Sequence, residues 1–166
     1  MLNFFDPAYQ TPPIADLRFG LCDNENGTAA FVDTTATNMD NWIAIVENKH
    51  AIPLVFTAID KGVVKDDEYP NCGRCDGMLM SDRHLYFVEL KNEKESWIQK
   101  GVFQLESTIR LFDGAHPGVK KRYVHKKAFL CNRKHPSFHV SNKEQSLKFF
   151  RAYGFRLDIQ AKVLMV

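Results

Sequence analysis

The sequence predicts a mixed α/β domain, in which helices flank a central mixed sheet of about five strands. Apolar segments of strand length alternate along the chain with longer segments of helical periodicity. The chain has 166 residues, which is the size of one domain with a substantial core. A net charge of +2 does not by itself indicate a nucleic-acid partner, and no apolar run has bilayer length.

Residues 1–36 are rich in Pro, Asn, Asp and Thr, and we expect an N-terminal arm or hairpin that packs on a main domain of residues 37–166. Segments 17–22 and 28–32 are candidate hairpin strands around a polar turn. The first residues lack the basic and apolar segments of a signal peptide, so we expect a cytoplasmic protein without membrane contact.

A helix is predicted to begin near Thr37, which can cap it. Its apolar stripe would comprise Met39, Trp42, Ile43 and Val46. Glu47 follows Ile43 by one helical turn, so its side chain would border this stripe and can point towards the core. A β-rich strand at 52–59 and a polar loop at 61–73 come next.

The stretch 75–91 predicts a β-hairpin whose strands are joined by a short polar turn. A turn centred between Asp82 and Arg83 places Asp76 directly opposite Glu89, with both carboxylates on one face of the sheet. Lys91 lies two residues beyond Glu89 and therefore projects from that same face.

Opposed carboxylates repel each other unless one is protonated or a cation lies between them. Oxygen ligands of this kind suit Mg²⁺. The alternative is a structural ion pair, because Glu-x-Lys triplets are common on solvated strand faces. The apolar neighbours Phe87, Val88 and Leu90 indicate a buried strand, which favours a metal site over the ion pair.

Beyond the hairpin, Asn92 and Glu95 predict a capped helix that ends near Gly114. Its predicted buried stripe comprises Trp97, Ile98, Val102, Leu105, Ile109 and Phe112. A strand at 120–132 would follow as a parallel crossover. A capping box at 141–144 predicts another helix, and the alternation over 155–166 predicts one last strand.

The segment 116–135 is strongly basic and contains no acidic residue. Its cations are Lys120, Lys121, Arg122, Lys126, Lys127, Arg133 and Lys134. Such a segment can bind a phosphate backbone through contacts that depend on salt and not on base sequence. Solvated lysines that protect an edge strand are the alternative.

The chain contains four cysteines, and Cys72 and Cys75 have zinc-knuckle spacing. Cys131 and His135 could complete a site in space, but a second close pair of ligands is missing from the sequence. Free thiols are therefore the favoured interpretation, and structural Zn²⁺ is not expected.

The hairpin resembles the Asp…Glu-x-Lys signature of the PD-(D/E)xK nuclease superfamily. Asp76-Gly77 is followed by a turn and then by Val88-Glu89-Leu90-Lys91. Cys75 stands where that superfamily has its proline. The resemblance covers about residues 37–131. It implies a restriction-endonuclease-like core, αβββαβ, with additions at both ends.

The resemblance implies a Mg²⁺- or Mn²⁺-dependent nuclease that hydrolyses nucleic acid, most often DNA, and leaves a 5′-phosphate. Asp76 and Glu89 would hold the metal, with Glu47 as an additional acidic ligand. Lys91 would act on the attacking water and on transition-state charge, and Gln104, favoured over Gln99, would orient phosphate or water. A homodimer that cuts two strands also fits the resemblance. The alternative is a degenerate nuclease fold that only binds nucleic acid or protein.

Overall fold

The computed structural model describes residues 1–135 and 143–166, and the elements below belong to those ranges. The strands are β1 (Arg18–Cys22), β2 (Phe31–Asp33), β3 (Ala44–Glu47), β4 (Val55–Ala58), β5 (Gly77–Met80), β6 (His84–Lys91), β7 (His125–Asn132), β8 (Arg156–Ile159) and β9 (Lys162–Leu164). The α-helices are α1 (Trp97–Ala115) and α2 (Lys143–Tyr153), and 3-10 turns span Pro7–Tyr9, Ala36–Asn41 and Val119–Arg122.

A five-stranded mixed sheet in the order β4-β5-β6-β7-β8 forms the centre of the molecule. β5 pairs antiparallel with both β4 and β6, whereas β7 pairs parallel with β6 and β8 pairs parallel with β7. The predicted strand count and the parallel crossover through α1 are thus confirmed. The order strand, strand, strand, helix, strand over β4 to β7 also agrees with the prediction.

A second mixed sheet, which was not predicted, has the order β2-β1-β3-β9. The predicted N-terminal hairpin is present as the antiparallel pair β1 and β2. β1 also pairs with β3, so residues on both sides of position 36 belong to one sheet.

Three layers result from these pairings. Alternate side chains of β6 divide between two cores: Phe87 packs with residues of α1, including Leu105, while Val88 packs with residues of the second sheet. The five-stranded sheet therefore lies between a helical layer and the four-stranded sheet.

The prediction of a helix that begins near Thr37 is wrong. Residues 36–41 form a 3-10 turn, and strand β3 follows it. Ile43, Ile45 and Val46 are β-branched, and β1 and β9 provide a partner strand on each side of β3, so sheet pairing overrides the helical spacing.

Helix α1 begins at Trp97, five residues after the predicted cap at Asn92, and it continues through Gly114. Asn132 explains the late start. Its side chain accepts a hydrogen bond from the Glu93 N–H and donates one to the Glu93 carbonyl, which ties the backbone after β6 to β7. The predicted buried stripe of α1 is otherwise correct, except that Ile98 is only half-buried.

The last predicted strand is two strands in different sheets, because β8 pairs with β7 and β9 pairs with β3. Strand β7 begins at His125, later than predicted, since a 3-10 turn occupies residues 119–122. The first two residues of the predicted capping box at 141–144 lie outside the described residues. Over the described ranges, no helix combines the length and apolar character that a membrane span requires.

Candidate active site

The hairpin of β5 and β6 brings Asp76 and Glu89 to the helical side of the central sheet. Met78 pairs with Phe87 and Gly77 with Val88, which is the predicted register. Met78 and Phe87 both lie in the helix-side core, and side chains two residues away share their face. Asp76 and Glu89 are 9% and 2% exposed.

The backbone of β6 fixes Asp76 in place. Oδ2 of Asp76 accepts a hydrogen bond of 2.6 Å from the N–H of Leu90, the residue between Glu89 and Lys91. The Asp76 carbonyl in turn accepts a 2.9 Å bond from the N–H of Ile59, just beyond β4. Asp76 is therefore bound to both neighbouring segments of the sheet.

Lys91 connects the hairpin to helix α1. Its Nζ lies 3.1 Å from Oε1 of Glu89 and donates a 2.5 Å hydrogen bond to Oε1 of Gln104. The Gln104 amide donates to the Arg74 carbonyl at 3.2 Å. The structure thus brings together four of the predicted residues, Asp76, Glu89, Lys91 and Gln104.

Burial dominates the electrostatics of the two carboxylates. It raises the pKa of Asp76 to about 7, against the opposing effect of the Leu90 hydrogen bond. The pKa of Glu89 lies well above its ordinary value, first because of burial and second because of the Asp76 charge, although Lys91 opposes both. The single ammonium of Lys91 does not offset the burial of two carboxylates.

Oε2 of Glu89 is buried and has no hydrogen-bond partner among the described residues. A buried carboxylate oxygen without a partner, beside a second buried carboxylate, fits a divalent cation that prefers oxygen ligands. Across residues 1–135 and 143–166, however, no three His, Cys, Asp or Glu side chains cluster closely enough to form a metal group by themselves. Water or substrate oxygens would have to supply the other ligands.

The structure does not bring Glu47 to this pair. Glu47 is the last residue of β3 and forms a 3.0 Å ion pair with Arg18. Its neighbour Val46 points into the core between the sheets, so Glu47 projects from the opposite face of the four-stranded sheet. The predicted placement depended on a helix that the structure lacks at these residues.

Two acidic residues that the sequence did not single out lie near the site. Asp60 follows β4, its N–H donates to the Cys75 carbonyl at 3.2 Å, and its charge acts on both Asp76 and Glu89. Asp23 follows β1 and also raises the pKa of Asp76. An acidic residue directly after the predicted strand at 52–59 was the sequence signal for Asp60, although its closeness to Asp76 depends on the pairing of β4 with β5.

Arg74 partly neutralises Asp60. Its Nε lies 2.8 Å from Oδ1 of Asp60, and a second guanidinium nitrogen lies 3.3 Å from Asp66. Burial still raises the pKa of Asp60, with Arg74 as the main opposing charge. Since Arg74 also accepts from Gln104 through its carbonyl, it links Asp60 to helix α1.

The predicted basic segment is divided between the two ends of β7. Arg133 and Lys134 follow β7 beside the candidate site, where the Arg133 N–H donates to the Lys91 carbonyl at 2.8 Å. Lys120, Lys121 and Arg122 precede β7 at the far end of the sheet. At about 3.3 Å per residue, β6 spans roughly 23 Å between these two ends.

Three lysines of this segment already have protein partners. Lys120 forms a 2.6 Å ion pair with Asp113, and Lys127 lies 3.5 Å from Asp158. Lys126 donates to the Tyr123 carbonyl. Their role in binding nucleic acid stays a prediction.

The cysteines do not converge. Cys75 is buried on the helical side of the central sheet, whereas Cys131 is buried on the other side. The Cys75 thiol contacts the Gly77 carbonyl at 3.6 Å, and burial raises its pKa well above the ordinary value. Cys75 and Cys131 therefore cannot ligate one ion without a change of fold.

Comparisons of the chain with models of protein families, with curated proteins and with solved structures give no match.

Proposed function

We propose that the protein is a metal-dependent nuclease with a restriction-endonuclease-like core and that it hydrolyses phosphodiester bonds, most often in DNA. The observation that carries the proposal is the convergence of Asp76, Glu89 and Lys91 at one buried end of the β5-β6 hairpin. Two buried carboxylates with a single ammonium destabilise a fold unless a proton or another cation joins them. Such a site is typical of a functional centre.

Asp76 and Glu89 would hold Mg²⁺ or Mn²⁺, as the unpartnered Oε2 of Glu89 supports. A bound ion of this class activates water and polarises a phosphoryl oxygen. The Leu90 N–H fixes the orientation of the Asp76 carboxylate, because it donates a hydrogen bond to Oδ2.

Lys91 supplies positive charge where the phosphoryl group gains negative charge in the transition state. Gln104 holds the Lys91 ammonium in position through its amide oxygen, and the Arg74 carbonyl fixes the amide orientation. Hydrolysis at this site is expected to leave a 5′-phosphate, as in the nucleases that the motif resembles.

The test is cleavage of plasmid and linear DNA by purified protein with Mg²⁺ or Mn²⁺. Asp76→Ala and Lys91→Ala are each expected to abolish cleavage. Asp67→Ala is the matched control, because Asp67 is an exposed carboxylate of the 61–73 loop and should leave activity unchanged. Cleavage that persists in EDTA, or that survives both substitutions, would overturn the proposal.

A further inference from the structure

A cavity of about 850 Å³ lies at the other end of the hairpin from Asp76 and Glu89. It opens at the β5-β6 turn, which contains Asp82 and Arg83. Roughly 17 Å of strand separates His84 at this turn from Glu89, at about 3.3 Å per residue. The cavity is therefore a different site from the one formed by Asp76 and Glu89.

Hydrogen bonds between distant segments fix the walls of this cavity. Ile14 and Leu54 exchange a pair of backbone hydrogen bonds of 2.8 and 2.9 Å, which holds the N-terminal wall against the strand that leads into β4. The Arg83 carbonyl accepts from the N–H groups of Val124 and His125 at 3.0 and 2.9 Å, which holds the turn against the start of β7. The cavity is preformed, so a ligand does not have to order it.

The lining of the cavity combines apolar, aromatic and charged residues. Phe5 and Tyr123 line it as aromatic residues. Arg83 and Arg122 reach it from two different elements, and both are exposed. Neither arginine forms an ion pair within residues 1–135 and 143–166, unlike Arg74 at the other end of the hairpin.

The arrangement selects a type of ligand. A guanidinium binds phosphate oxygens through two parallel hydrogen bonds, and two such groups without partners favour a phosphate over a neutral molecule. Aromatic walls favour a planar ring beside that phosphate. Asp82, the acidic residue of the lining, offers an acceptor for an amine or a hydroxyl group.

We propose that this cavity binds a nucleoside 5′-monophosphate. The phosphate lies against Arg83 and Arg122, and the base packs against Phe5 and Tyr123. Asp82 accepts a hydrogen bond from the sugar or from an exocyclic amine. Both a free nucleotide and the 5′-phosphorylated end of a strand present this chemistry. The site does not depend on hydrolysis by Asp76 and Glu89.

The test is isothermal titration of the full chain with AMP at low salt. Wild-type protein is expected to give saturable binding in the micromolar to low millimolar range. In the double variant Arg83→Gln/Arg122→Gln, affinity should fall at least about tenfold, because charge-assisted bonds to the phosphate are lost. Lys49→Gln is the matched control, since Lys49 is an exposed cation outside the basic segment that does not line the cavity, and it should leave affinity unchanged.

Further arms of the titration locate the ligand and its source. Asp76→Asn protein should bind AMP with the affinity of wild type. Adenosine and inorganic phosphate should each bind wild-type protein much more weakly than AMP does. A 5′-phosphorylated dinucleotide that binds more tightly than AMP identifies a strand end as the ligand, and the reverse order identifies a free nucleotide. The proposal is overturned if AMP shows no saturable binding, if the folded double variant binds as tightly as wild type, or if Asp76→Asn abolishes binding.

Discussion

Asp76 is hydrogen-bonded to the backbone of Leu90, the residue that separates Glu89 from Lys91 in the motif. The acceptor is a side-chain oxygen of the residue that directly precedes β5, and the donor belongs to the strand that carries the other two charged groups. One 2.6 Å bond thus links Asp76 to the Glu-x-Lys triplet and sets the relative position of the two carboxylates. This relationship makes the site sensitive to small changes at Asp76.

Asp76→Asn is expected to stabilise the protein in the absence of divalent metal. The amide oxygen can still accept from Leu90, while repulsion with Glu89 and the burial of one charge are removed. An increase of about 1 kcal/mol in the free energy of unfolding would raise the melting temperature by roughly 2–4 °C for a chain of this size. Thermal unfolding in EDTA measures the change, and a lower melting temperature than wild type would contradict it.

Gln104→Ala is expected to lower kcat for DNA cleavage by about tenfold to a hundredfold, because Lys91 loses the acceptor that orients its ammonium. KM should change little, since Gln104 acts through Lys91. Gln99→Ala is the control, as Gln99 is exposed on the same helix. Equal loss in both variants would show that helix stability, and not the position of Lys91, is responsible.

Gly101→Ala is expected to destabilise the fold by about 1–3 kcal/mol, the usual cost of overpacking. A Cβ atom at Gly101 would lie 2.3 Å from a Leu130 methyl group, because α1 contacts β7 closely there. Gly114→Ala on the same helix meets no atom within 4 Å and should stabilise by about 0.5–1 kcal/mol. Denaturant unfolding of both variants checks the prediction, which is wrong if both substitutions change the free energy of unfolding in the same direction.

As pH falls from 7 to 5.5, the raised pKa values of Asp76 and Glu89 favour the folded chain, and His116 is expected to act in the opposite direction. Its Nε2 accepts a 3.0 Å hydrogen bond from the Phe4 N–H, which requires the neutral ring, and burial lowers its pKa below 6.5. Below pH 6.5 the unfolded chain binds a proton that the folded chain resists, so this contribution is present above that pH and is lost as pH falls. The unfolding free energy of wild type minus that of His116→Gln should therefore decrease as pH falls over this range.

His50→Gln is the control for this pH effect, because His50 is exposed. It should show the same pH dependence of unfolding free energy as wild type. If the unfolding free energies of His116→Gln and wild type change in parallel between these two pH values, protonation of His116 does not break the hydrogen bond to Phe4.

The double variant Arg133→Gln/Lys134→Gln is expected to weaken DNA binding. The slope of log affinity against log salt concentration should become less steep by up to about 1.8, because each lost phosphate contact removes about 0.9. Both residues are exposed beside the candidate site. Lys49→Gln, which removes an exposed cation outside the basic segment, should leave the slope unchanged. Binding by catalytically inactive Lys91→Ala protein over a salt series provides the measurement, and equal slopes in both variants would contradict the prediction.

The hairpin could be predicted from sequence because its information is local. Turn position and strand composition set the register, and the register places Asp76 opposite Glu89. Strand β7 and the stripe of α1 followed from apolar periodicity in the same way.

The four-stranded sheet could not be predicted, since its pairs join residues far apart in the chain. Nothing local to residues 44–47 indicates that β9 will lie beside them, and without that partner the spacing of Trp42, Ile43 and Val46 favours a helix. Glu47 was misplaced for this reason. Asp60 was missed because its closeness to Asp76 depends on the pairing of β4 with β5.

The segment from β8 to β9 passes between sheets within two residues. The Gln160 N–H donates to the Leu130 carbonyl of β7, and the carbonyl of the next residue, Ala161, accepts from the N–H of Ile45 of β3. Neither sheet can separate from the other without breaking strand pairs on both sides of this crossing. We therefore expect the two layers to unfold in one cooperative transition, with amide hydrogens of β3 and β7 exchanging at the same global rate.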